Sequence, residues 1–103
     1  MKLLIQSALI AATVAFGAPA MANTALAQKS GCLACHAVDK KVVGPAYQEV
    51  AKKYAGNMKA EDLAKRIKSG GSGHWGPVPM PPQAALSEAD AKTLATWILG
   101  GAK

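Results

Sequence analysis

Apolar residues fall into two regimes along this chain. From Leu3 to Phe16 they are nearly continuous; beyond Asn23 they recur at the spacing of one helical face. Tyr47, Val50, Ala51 and Tyr54 stand at i, i+3, i+4 and i+7, which predicts an α-helix with that side buried. Pro45 opens this helix, where its missing N–H costs nothing, and Gly56 ends it. Ala60 to Ser69 predicts another, with Leu63 and Ile67 on its apolar edge and Gly70-Gly71 as its stop. Its start is acidic (Glu61, Asp62) and its end basic (Lys65, Arg66, Lys68), the polarity that the helix dipole favours. The last helix is entered through a Ser87/Asp90 capping pair and runs to Leu99, ahead of Gly100-Gly101. Its buried stripe is Ala91, Leu94, Ala95 and Ile98, with Trp97 flanking. Thr24 to about Cys32 predicts a short first helix, capped by Thr24.

Gly70 to Pro82 holds four glycines and four prolines, which rules out regular structure there. No segment alternates apolar and polar residues as a half-buried strand does. The expectation is an all-α fold of about four helices, with one long ordered loop before the last. No internal repeat interrupts it.

The continuous apolar stretch has a different meaning. Lys2 supplies a positive start, Leu3 to Phe16 an apolar run, and Ala20-Met21-Ala22 the small residues that a signal peptidase reads. The run is shorter than the roughly 20 residues needed to span a bilayer. Residues 1–22 are therefore expected to be a cleaved secretory leader, cut after Ala22, or alternatively after Ala20. Asn23 to Lys103 is then one small domain, exported to the periplasm and without stable membrane insertion. A domain of this size buries a modest core and needs a staple of some kind.

The formal net charge is +6, of which Lys2 in the leader contributes one. A positive exported surface suits an acidic protein partner or an anionic membrane surface, and ordinary solubility accounts for it as well. Nucleic acid is not an expected partner in that compartment.

The chemistry sits in Cys32-Leu33-Ala34-Cys35-His36. Two thiols on one short turn, followed at once by an imidazole, form the attachment sequence of a c-type haem. Zinc would need four tetrahedral ligands from a chain with 2 Cys and 2 His in all, and Cys35 and His36 are adjacent. A thioredoxin-like pair would need flanking strands, and an iron–sulfur cluster normally needs four thiolates. In an oxidising compartment, thioether attachment also removes both thiols from disulfide chemistry. With His36 as one axial ligand, the candidates for the other are Met80, His74 and Met58. Met80 is favoured. It lies in Pro77-Val78-Pro79-Met80-Pro81-Pro82, where prolines stiffen the chain before it touches anything, and it belongs to no helical stripe.

Three segments at their spacings carry a family resemblance: Gly31-Cys32-Leu33-Ala34-Cys35-His36, Val43-Gly44-Pro45-Ala46-Tyr47 and Trp75-Gly76-Pro77-Val78-Pro79-Met80-Pro81-Pro82. The sequence resembles the small monohaem class I cytochromes c of bacteria, the short five-fifty-one type, over essentially all of Asn23 to Lys103. The resemblance implies one haem c, with thioethers at Cys32 and Cys35 and with His36 and Met80 on the iron. It implies that the Pro45 carbonyl accepts the His36 Nδ1–H, and that Arg66 and Trp75 hydrogen-bond a haem propionate. Gln83 falls where the family has an amide near the methionine sulfur, Asn in the best-known type. His74 occupies a position where an apolar residue is expected. The implied function is that of a monomeric, periplasmic one-electron carrier between redox proteins, from the respiratory chain to a nitrite reductase or terminal oxidase. It makes no bonds to a substrate. Val42, Val43, Pro77, Val78, Pro81 and Pro82 are expected to form an apolar docking patch. Lys40, Lys41, Lys52 and Lys53 would ring it and steer an acidic partner.

Overall fold

The computed structural model describes residues 19–103, with side chains from Asn23 onward. The leader expected over residues 1–22 therefore lies outside this range, except that the backbone from Pro19 to Ala22 forms the start of α1 (Pro19–Lys29). A 3-10 turn over Cys32–Ala34 follows, then α2 (Tyr47–Tyr54), α3 (Ala60–Ser69) and α4 (Glu88–Leu99). Among the described residues there is no strand, only isolated bridges at His36–Lys41 and Gly71–Met80.

Two boundaries differ from the sequence expectation. The first helix starts before Thr24, because Pro19 fits a first helical position and the alanine-rich segment after it propagates well. It ends at Lys29 rather than Cys32, since Gly31 takes a left-handed φ of 80° and the thiol segment continues as the tighter 3-10 turn. The second helix begins two residues after Pro45, with Ala46 extended at ψ 141°. Its free N–H groups explain the delay: Tyr47 N–H donates to the Ala37 carbonyl and Gln48 N–H to that of Val38, both at 2.9 Å. The loop after His36 thus caps α2 with main chain.

The ends of α3 and α4 follow the expectation. Ala60–Ser69 keeps its acidic start and basic end. At α4 the Ser87 hydroxyl oxygen accepts the Asp90 N–H at 3.0 Å.

The core forms where α4 packs against α1, α2 and α3. Tyr47, Val50 and Tyr54 from α2, Leu63 and Ile67 from α3, and Leu94 and Ile98 from α4 are all buried, as their spacing predicted. Trp97 does not merely flank this stripe but is buried with it, edge-on to Tyr47 with ring centroids 5.5 Å apart. The indole packs against the α2 face, and its buried Nε1 finds no acceptor among the described residues. Across α3 and α4, the exposed Lys92–Glu61 pair at 3.4 Å adds little.

Candidate functional site

A cleft of about 270 Å³ opens between the Cys32–His36 segment and the Met80 loop. Its inner walls are apolar: Val50 and Tyr54 from α2, Leu63 and Ile67 from α3, Leu94 and Ile98 from α4. The helical stripes read from the sequence therefore serve twice, as core and as cleft.

On one side the 3-10 turn sets out Cys32 and Cys35, the first half-buried and the second exposed. Burial pushes the Cys32 thiol above its ordinary range, and a hydrogen bond with Tyr47 partly offsets this. The Tyr47 hydroxyl is raised in turn, by burial first and by the neighbouring Cys32 second. Immediately after the turn, His36 Nδ1–H donates to the Pro45 carbonyl at 2.8 Å, which leaves the lone pair on Nε2. The imidazole stacks on Tyr47, with centroids 5.1 Å apart and planes at 21°.

Gly44 makes this placement possible. A Cβ there would collide with the His36 ring, lying 2.8 Å from its Nδ1. The backbone has no slack, because the Cys35 carbonyl accepts both Gly44 N–H at 2.7 Å and Val43 N–H at 3.1 Å.

The opposite side is the proline-rich loop. Met80 N–H donates to the Gly71 carbonyl at 2.7 Å, and Gly71 N–H returns a bond to the Met80 carbonyl at 3.0 Å. Of the three candidate second ligands, Met80 and His74 line the cleft, whereas Met58 packs against the hydrophobic core outside it. Gln83 also lines the cleft, and its amide Nε2–H donates to the Pro81 carbonyl at 3.1 Å.

Arg66, His74 and Trp75 lie together on one stretch of the rim. Arg66 donates to the Tyr54 hydroxyl at 3.1 Å and stands 3.5 Å from His74 Nδ1. Lys53 holds the His74 carbonyl at 2.6 Å and lies 4.5 Å above the Trp75 ring. The histidine that looked out of place in an apolar position is thus an exposed part of a cationic cluster.

Of the residues expected in the apolar patch, Val42, Val43 and Val78 are 47%, 51% and 60% exposed. Lys41 lies on the cleft itself. Lys52 does not: it pairs with Glu49 at 3.2 Å and faces a separate groove beside Leu99 and Lys103. One helical step separates it from Lys53, enough to turn the two side chains to different faces.

Among the described residues no three His, Cys, Asp or Glu side chains gather to hold a metal ion. The cleft fits a flat, largely apolar group that brings its own iron: thiols at one edge, a tautomer-fixed imidazole, a thioether opposite, and cations on the rim. Comparison with known proteins leads to the same place. The Cytochrome c family model matches residues 20–102. The chain belongs to the cytochrome c family. It is 55% identical over 82 residues to cytochrome c-551 of Allochromatium vinosum, covering 79% of this chain and 87% of that protein. It is also 55% identical to cytochrome c-552 of Hydrogenobacter thermophilus, covering 88% and 93%. The crystal structure of Nitrosomonas europaea cytochrome c552 superimposes with a TM-score of 0.71 at 55% identity, over 74% of this chain and 95% of that one. The fold is that of a small class I cytochrome c, and membership implies one covalently bound c-type haem. The chain is an electron carrier rather than an enzyme.

Sequence reasoning names His36, Pro45 and Met80, which the structure brings to one cleft, but reads Tyr47 and Tyr54 only as helix core. Tyr47 also backs His36 and neighbours Cys32, and Tyr54 also holds Arg66. Gly44 and Gly70 looked like a motif letter and a helix stop; close approach of another segment is what requires them.

Proposed function

We propose that Cys32 and Cys35 carry the thioethers and that His36 and Met80 are the axial ligands of the haem. The observation that carries this reading is the His36 Nδ1–H bond to the Pro45 carbonyl, which leaves Nε2 as the ligating nitrogen. The haem iron supplies a one-electron couple, and a His/Met pair holds its potential high. The chain's own part is to exclude water with the α2, α3 and α4 stripes and to keep both ligands in place in either redox state. Arg66 and Trp75 stand on the rim where propionates would need donors, and Gln83 is the amide nearest in sequence beyond Met80.

Residues 1–22 act in this reading as an export leader, and Asn23–Lys103 as the periplasmic carrier. Cleavage after Ala22 removes the first turn of α1 and leaves Asn23 and Thr24 at the helix start, where both are good caps. The carrier works as a monomer, taking electrons from the respiratory chain and passing them to a terminal reductase or oxidase. Its partners are redox proteins with acidic docking surfaces, and contacts of this kind are small and transient.

A reduced-minus-oxidised visible spectrum followed by acid–acetone extraction tests the attachment. The pigment should stay with the protein, and the mass should exceed that of the bare mature chain by one haem. Pigment stripped by the solvent, with a bare mass left behind, would refute thioethers at Cys32 and Cys35.

A further inference from the structure

The end of α3 meets the Met80 segment main chain to main chain. Gly70 follows the last residue of α3 with φ 66°. A Cβ on it would collide with the Met80 carbonyl oxygen and come within 2.8 Å of the Pro81 carbonyl carbon and the Pro82 nitrogen. The peptides on either side of Pro81 therefore lie close against Gly70. Two hydrogen bonds tie Gly71 to Met80, at 2.7 and 3.0 Å, and Gln83 N–H donates to the Lys68 carbonyl at 2.9 Å. Residues 68–71 thus seat residues 80–83 through backbone alone, and α3 in turn is anchored on α4. Nothing in this seat uses the methionine side chain.

From this we propose that Gly70 is a positioning residue for the sixth iron ligand: the bare end of α3 fixes the Met80 backbone, and so the reach of its thioether. The proline run stiffens the loop, but the seat decides where the stiff loop lies. Held from behind, Met80 competes well against outside ligands, because the fraction of molecules with the thioether off the iron stays small. A side chain at Gly70 lifts the loop off its seat and raises that fraction. This inference rests on Met80 being an axial ligand.

The test uses the haem-loaded protein and imidazole as the competing ligand. Gly70→Ala should weaken the near-infrared band of iron–sulfur ligation and raise the apparent imidazole affinity of the ferric protein by roughly tenfold or more. Gly56→Ala is the control: it also places alanine at a positive φ, 82°, but its Cβ meets nothing within 4 Å. It should lose stability yet keep band and affinity. A Gly70→Ala protein with full band and affinity within about twofold of the parent overturns the proposal. A parent without the band overturns instead the assignment of Met80.

Amide exchange in the parent decides the same point without a variant. With imidazole bound to the iron, the Met80 and Gly71 amides should keep their protection, since their partners are each other's backbones. Loss of protection at both would mean that the iron bond, and not the end of α3, holds the loop.

Discussion

Gly44→Ala should raise the reduction potential while lowering stability, and the structure indicates by how much. The added methyl would overlap the His36 ring, and Gly44 cannot retreat because its N–H is bonded to the Cys35 carbonyl at 2.7 Å. The imidazole must therefore tilt, away from the 2.8 Å bond to Pro45 or from the 5.1 Å stack on Tyr47. Overpacking of this kind costs about 1–3 kcal/mol, and a lost neutral hydrogen bond about 0.5–1.5 kcal/mol. Relieving one strain incurs the other, so the two are not summed. The expected destabilisation is about 1–3 kcal/mol, with Tm falling by about 4–8 °C per kcal/mol in a domain of this size.

The potential moves for a separate reason. Donation from Nδ1 to Pro45 makes Nε2 a stronger base, which favours the more highly charged iron. Weakening that bond favours reduction. One electron corresponds to about 59 mV per tenfold change in equilibrium, so a differential of about 1 kcal/mol gives a rise of about 40 mV. Thermal unfolding and spectroelectrochemical titration of parent, Gly44→Ala and Gly56→Ala read both effects. Gly56→Ala carries backbone strain at a positive φ with open space around it, so it should lose stability at unchanged potential. If Gly44→Ala behaves like Gly56→Ala, with lower Tm and an unmoved potential, the claim that Gly44 sets the His36 hydrogen bond is wrong.

Met80→Ala should abolish the near-infrared band, open the iron to small ligands and lower the potential; a persisting band would transfer the assignment to another thioether, Met58, and its absence from the parent would point to His74, which lines the same cleft. Leu94→Ala, at 2% exposure between the core and the cleft, should cost about 2–5 kcal/mol in urea unfolding, and a loss below about 1 kcal/mol would show that the cleft closes over the gap. Ser87→Ala removes the acceptor of the Asp90 N–H and should cost about 0.5–2 kcal/mol without moving the visible spectrum. Electron transfer to an acidic acceptor should slow as salt screens charge over about 8–10 Å, and Lys41→Glu should slow it further while Lys52→Glu does not. Equal effects of the two changes would show that overall charge, and not the cleft rim, steers the encounter.

The sequence made the helices legible because their signals are local. Tyr47, Val50, Ala51 and Tyr54 declare a buried face by spacing alone, and Ser87 with Asp90 declares a cap. The start of α2 was misplaced because its first N–H groups are satisfied by Ala37 and Val38, carbonyls that no window around Pro45 includes. The end of the first helix was misplaced because the apolar pattern runs on through Cys32 and Leu33, whereas Gly31 breaks the geometry. Trp97 was read as flanking because a ring that large reaches sideways to Tyr47 from a position off the stripe. Among the lysines, periodicity could not tell Lys52 from Lys53; only the rim around Trp75 and the groove beside Leu99 separate them.

Both proposed ligands are held by the same device from opposite sides of the cleft. His36 is set by a carbonyl, a ring and the bare backbone of Gly44; Met80 is set by a pair of main-chain bonds and the bare backbone of Gly70. In each case a glycine admits another group, the His36 ring or the Met80 backbone, to a distance that any side chain would forbid, and main-chain hydrogen bonds hold the backbone beside it in place. The main-chain bonds among these supports join neutral backbone groups and respond little to the charge on the iron, whereas the His36 Nδ1–H bond to Pro45 is coupled to it. With His36 and Met80 as the proposed ligands, the main-chain supports should not change with oxidation state, and little backbone rearrangement should accompany the transfer. The exposed Val42, Val43 and Val78 lie on the loops that carry these supports.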